Sequence, residues 1–172
     1  MAKKEKVKKI NKTNLYLIIS IIILGFFGGY FYWQNKGLES SNLSLQTSDI
    51  FSQSDQEILK ITTPMAENFV QNFVDGDFIK ASQNFDNEMK ITVNTQVLET
   101  VQGETLNKIG NLSDLGQIQI RQKESNFVIV NYPEAKFTKE EKVSIKIVFK
   151  NNSEGNLKIS GFGFDSPKLN SN

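Results

Sequence analysis

The chain contains no cysteine and no histidine. Without cysteine there is no disulfide framework, no thiol nucleophile and no lipidated cysteine of the kind that holds a lipoprotein. Without histidine the usual zinc ligand, the usual general base and any Ser-His-Asp triad are missing. Proline is scarce, at three residues, and tryptophan occurs once. Overall charge is nearly absent too, with 20 basic against 19 acidic residues, but that balance hides a partition. The first 13 residues hold six lysines against Glu5, whereas residues 34–172 hold 14 basic and 18 acidic residues, a net of −4. A mildly acidic body gives no electrostatic reason to bind nucleic acid. The abundance of Asn, Lys, Ile and Phe fits an AT-rich bacterial coding sequence.

What is present begins with the uncharged run Leu15–Trp33, LYLIISIIILGFFGGYFYW. About 18 or more apolar residues suffice for a bilayer-spanning helix. The lysines before it stay on the cytoplasmic side by the positive-inside rule, and Tyr16 at one end and Tyr30, Tyr32 and Trp33 at the other suit the two headgroup layers. A cleaved signal peptide is the competing reading, but its apolar region is shorter and ends in small residues. The expected organisation is therefore a cytoplasmic basic tail (1–13), a transmembrane signal anchor (14–33), a polar stalk (34–53), an extracytoplasmic domain (54–168) and a short tail (169–172). The localisation expected is the cytoplasmic membrane, single pass, N-terminus inside. Gly25 and Gly29 form a G-x-x-x-G that offers a helix–helix contact, and with it a homodimer; glycine is also simply common in membrane helices.

The domain changes period halfway along. Ser54 or Asp55 can cap a helix whose apolar stripe is Ile58, Ile61, Met65, Phe69 and Phe73, with Pro64 either kinking it or starting its main part. Asp75-Gly76-Asp77 ends this helix and caps a second, with Phe78, Ala81 and Phe85 inside and Met89 and Val93 in a short continuation. Leu98, Val101, Thr105 and Ile109 mark a third, ending at Gly110, with Gly103 inside it. Alternation of period two then predicts strands around Ile118–Ile120, Val143–Phe149 and Leu157–Ile159. The nearly all-apolar run Phe127–Tyr132 reads as a strand that is central or covered on both faces, with Tyr132-Pro133 at a strand end or bulge and 151–156 as a hairpin loop. The fold class is α+β, three helices packed on an antiparallel sheet of about four strands.

The runs A-x-x-F-V at Ala66–Val70, G-D-F-x-x-A-x-x-x-F at Gly76–Phe85 and V-F-x-x-x-x-x-G-x-L-x-I-x-G-F at Val148–Phe162, with Met89, Leu98, Gly110 and Pro167, carry a resemblance. Residues 60–168 resemble a small domain of unknown function of the cystatin-like, nuclear-transport-factor-two-like superfamily, found on secreted or membrane-anchored prokaryotic proteins. Where that family often has an aromatic in the third helix, this chain has Val101. The resemblance implies a curved sheet wrapping a long helix around a cone-shaped cavity. It brings no catalytic residues with it, and such superfolds host many functions.

Three groups of residues bear on chemistry. Asp75 and Asp77, with Asp86 and Glu88 next, are the closest carboxylates, fit for acid–base work or a hard cation, or simply for helix capping. Arg121, Lys146 and Lys158 share a polar sheet face that meets either solvent or an anionic polymer or lipid headgroup. Phe69, Phe73, Phe85, Tyr132 and Phe149 are the candidate cavity-lining residues, with core packing the default at these periods. No catalytic residue, metal ligand or cofactor is assigned. The leading expectation is an anchored, non-catalytic module that binds an extracytoplasmic protein or small ligand. The alternatives are a small hydrolase or isomerase using a cavity carboxylate, and a membrane assembly partner acting through its transmembrane helix.

Overall fold

A computed structural model describes residues 53–152 and 155–171. The predicted tail, transmembrane segment and nearly all of the stalk, Gly25 and Gly29 included, lie outside the described residues. Among the described residues no helix is long and apolar enough to cross a membrane.

Helix α1 spans Asp55–Asp75. Its start is a reciprocal capping box: Glu57 N donates to Ser54 Oγ at 3.4 Å and Ser54 N donates to Glu57 Oε2 at 3.0 Å. Pro64 lies inside the helix, so of the two roles expected for it, starting the main part of the helix is not the one it takes. Gly76 closes it in the left-handed region, at φ 79°, as the Asp-Gly-Asp sequence demanded. Three further helices follow in short order: α2 (Phe78–Ala81), α3 (Asn87–Thr92) and α4 (Thr95–Ile109), with a 3-10 turn at Ser82–Asn84. Asp77, Asp86 and Asn94 cap them, each accepting from a backbone N–H three residues on.

The expected second helix is thus broken. Phe85 is extended, forms a parallel bridge with Ile159, and Asp86 N donates to the Ile159 carbonyl at 2.9 Å. A tertiary backbone bond here overrides a helical side-chain pattern.

The antiparallel sheet has five strands rather than about four: β1 (Leu112–Asp114), β2 (Gln119–Lys123), β3 (Phe127–Phe137), β4 (Glu140–Asn151) and β5 (Leu157–Asp165). β3 and β4 form the middle. β1 and β2 lie along the same side of β3, β1 on Lys136–Phe137 and β2 on Val128–Asn131. The additional strand, β1, is three residues long, too short to display an alternation. The register of β3 shifts just after Tyr132, where Pro133 cannot donate to the ladder. A short helix α5 (Pro167–Asn170) ends the described chain.

Helix α1 supplies Ile58, Ala66, Phe69, Val70 and Phe73 to the core; the sheet supplies Val128, Val130, Tyr132, Val143, Ile145, Ile147, Phe149 and Ile159. These strand residues share one face, so the buried layer lies between the helices and that face. Gln102 Nε2 of α4 donates to the Phe73 and Val74 carbonyls, both at 2.9 Å. It thereby adds to the Gly76 N–H bond that the Phe73 carbonyl already accepts, and supplies a donor to the Val74 carbonyl at the end of α1.

Candidate functional site

The five candidate cavity-lining residues, Phe69, Phe73, Phe85, Tyr132 and Phe149, are each 1% exposed or less. Three of the rings pack on one another and on a partner that the period-two reading did not extend to. Phe69 lies 4.8 Å from Phe162, 5.7 Å from Phe85 and 5.9 Å from Phe73, between centroids. Phe73 also stacks on Phe164 at 5.2 Å. Phe162 and Phe164 were readable only by following a phase change. In β5 the inward positions run Ile159, then Phe162 and Phe164, because the register shifts opposite Val148–Phe149 and leaves Ser160 as an extra residue.

The Tyr132 hydroxyl is buried with no hydrogen-bond partner among the described residues. Burial, reinforced by the charge of Glu67, pushes its pKa well above the ordinary tyrosine value, so the phenol stays neutral. Two open clefts lie elsewhere, and none of the five lines either. One, of about 540 Å³, lies between Gln71, Val74 and Asp75 of α1 and the segment 111–115. The other, of about 370 Å³, involves Pro133, Ser144, Asp165 and Asn170.

Three of the four carboxylates singled out in the sequence, Asp75, Asp77 and Asp86, are engaged locally, and Glu88 lies in the first turn of α3. Asp77 accepts from Lys80 N and pairs with Lys80 Nζ at 2.7 Å. Those contacts hold its carboxyl below the usual range. Asp86 Oδ1 accepts from Met89 N at 2.7 Å, and Asp75 accepts from Gln71 Nε2. Among the described residues no cluster of three or more carboxylates is placed to hold a metal ion.

The sheet face away from the helices is the other candidate surface. It is read most directly as rows of register. One row is Gln119, Asn131, Lys146 and Gly163; the next is Gln122, Ile129, Val148 and Gly161; the third is Phe127, Lys150 and Lys158. Lys146 and Lys158 therefore fall on this face, as expected. Arg121 is the extra residue where β2 shifts register, and its charge reaches Asp165. Asp165 accepts from Asn170 Nδ2 at 2.9 Å and from Lys146 Nζ at 3.4 Å. The Asn170 bond, then the Lys146 and Arg121 charges, hold its carboxyl below the usual range. Asp165, Asn131 and Lys150 were not singled out in the sequence. Asn131 sits in an apolar stretch that reads as core, yet it is 6% exposed on the outward face with its Oδ1 unpartnered.

A small α+β domain with helices on one face of a five-stranded antiparallel sheet is the class these features define. The model of one family, described as protein of unknown function (DUF3887), matches residues 66–162. That is more than half of the chain, and the chain belongs to this family. No curated protein and no solved structure matches it.

Proposed function

We propose that the chain is a membrane-anchored module whose domain works outside the cytoplasm by binding rather than by catalysis. The anchor is residues 14–33, with the N-terminus inside. The observation that carries the non-catalytic part is the engagement of the carboxylates: Asp77 and Asp86 hold helix N-termini, and Asp165 is held by Asn170 and Lys146. The carboxyls of Asp77 and Asp165 are held below the usual range by these contacts and stay ionised, unlike a general acid poised near neutral pH, and that of Asp86 is occupied by its cap bond. Membership of the cystatin-like superfamily belongs to the same proposal and is supported by the sheet laid over the long helix α1. Contact between two spans through Gly25 and Gly29 is the assembly reading, supported only by their spacing.

The topology test is a reporter active only outside the cytoplasm, fused after Asn172. It should be active, and the mature protein should retain its first 33 residues. An N-terminal sequence beginning near Tyr30 would refute the anchor.

The unpartnered Tyr132 hydroxyl favours a second reading, in which a small ligand or substrate reaches the interior, because a buried polar group without a partner calls for an explanation. Asp77→Asn and Tyr132→Phe separate the two readings in a complementation assay beside a melting curve. Asparagine caps about as well as aspartate, and removing an unpartnered hydroxyl does not destabilise. Both variants should keep function and melt close to the parent. Loss of function with an unchanged melting temperature would move the enzyme reading ahead.

A further inference from the structure

Lys150 and Lys158 are direct cross-strand partners on the outward face of the sheet. Like charges placed directly opposite in an antiparallel pair repel. The strands give no relief: neither lysine takes part in any ion pair among the described residues. Phe127 completes the row beside Lys150. The adjacent row contributes Ile129 and Val148. Phe127, Ile129 and Val148 are half-buried, and none belongs to the core or to the side chains packed against it. The helical half of the domain, residues 55–109, carries nine acidic and four basic residues. The domain is thus polarised, with unpaired cations beside an unpartnered apolar strip on the side away from the acidic helices.

We propose that this end of the outward sheet face docks on anionic phospholipid headgroups. Lysine ammonium groups would sit among the phosphates while Phe127 and Ile129 reach the headgroup–acyl boundary. A soluble anionic polymer would use the lysines alone and leave the apolar strip wet, so the combination favours a lipid surface. The chain also enters the domain at this end. The carbonyl of Gln53 accepts from Lys123 Nζ at 3.1 Å, and Lys123 is in register with Val128, next to Phe127. The proposal rests on the anchor reading in one respect: the anchor supplies a bilayer within a twenty-residue stalk.

The chain has no cysteine, so one introduced thiol can be labelled uniquely. Ser125→Cys, in the exposed turn between β2 and β3, places an environment-sensitive fluorophore at the docking end. Glu141→Cys places it at the far end of the sheet. The full chain is reconstituted into vesicles of phosphatidylcholine alone or with phosphatidylglycerol. The Ser125 probe should shift to the blue only with phosphatidylglycerol, and the shift should fade in high salt; the Glu141 probe should not respond. Each lysine near an anionic surface strengthens docking about fivefold, so Lys150→Gln with Lys158→Gln should lower the docking constant about 25-fold. Lys136→Gln, at the other end of the same face, should leave it unchanged.

A Ser125 probe indifferent to lipid charge, or unaffected by the double substitution, overturns the proposal. So does a response to soluble polyphosphate without vesicles, or one that follows protein concentration instead of lipid charge. Flotation tells this failure from failure of the anchor. An anchored chain floats with both kinds of vesicle; a chain that floats only with phosphatidylglycerol keeps the docking face and loses the anchor.

Discussion

Phe73 carries the interior at the scale of single residues. Its ring is fully buried and contacts those of Phe69, Phe162 and Phe164. Truncation to alanine removes those contacts and leaves a cavity whose walls, rings from α1 and β5, are held by separate elements. Phe73→Ala should therefore lower stability by about 3–5 kcal/mol, measured by urea unfolding of a fragment beginning at Gln53. A loss below about 1 kcal/mol would mean that the ring is not packed as described. Phe73 was legible in the sequence because it falls four residues after Phe69 on a helical stripe. Its partners on β5 were not: the extra residue Ser160 moves the inward set from odd to even numbers, and a fixed period of two loses them. The helix N-caps were legible for a simpler reason, since Ser54 and Asp77 act on amides only three residues away.

The three glycines bounding or interrupting the helices separate backbone conformation from space. Gly103 is inside α4 with nothing within 4 Å of an added Cβ. Its replacement by alanine should stabilise by up to about 1 kcal/mol. Gly110, at φ 85°, ends the same helix, and a Cβ there would collide with Thr138 Oγ1 and approach Lys139 N to 3.0 Å. The neighbouring backbone is committed, because Lys139 N donates to the Ile109 carbonyl and Thr138 N to the Asn111 carbonyl. Gly110→Ala should therefore be strongly destabilising. Gly76→Ala, with similar φ but only Gln102 Nε2 near at 3.6 Å, should carry the conformational cost alone. Melting temperatures of the three variants should rank Gly103→Ala above the parent, then Gly76→Ala, then Gly110→Ala. At this scale the long elements α1, α4 and β4 were legible from period, and β3 from its apolar run. The pieces between them were not, because Phe85 is claimed by a backbone bridge to β5 and β1 is only three residues long.

Across the whole of the described domain, chemistry is distributed by face: acidic helices, an aromatic interior and a partly cationic outer sheet. Local composition suggested Lys146 and Lys158 as neighbours on a face, but the Lys150–Lys158 opposition needs the hairpin register, which no single strand contains. The same distribution sets the response to pH, with different groups at each limit. Glu57, Asp77 and Asp165 all have carboxyls held below their ordinary values of 4.5, 3.8 and 3.8. Their contribution is complete above those values and is lost as pH falls through the lower folded-state ones, so melting temperature should be level near pH 6 and decline below about pH 4. Asp165→Asn should soften that decline. At the alkaline end the sign reverses in its cause. Tyr132, raised above its ordinary 10.0 by burial and the Glu67 charge, keeps its proton in the folded state while the unfolded chain loses it. Above about pH 10 the unfolded state is therefore favoured, by at most about 1.4 kcal/mol per pH unit from this one group. Melting curves between pH 9 and 11 check this against Tyr132→Phe, in which the extra alkaline loss should be absent. An equal loss in the variant would mean that the phenol ionises as easily folded as unfolded. The hydroxyl would then have access to water, and the interior reading of Tyr132 as a ligand-facing group would gain the accessible path it needs.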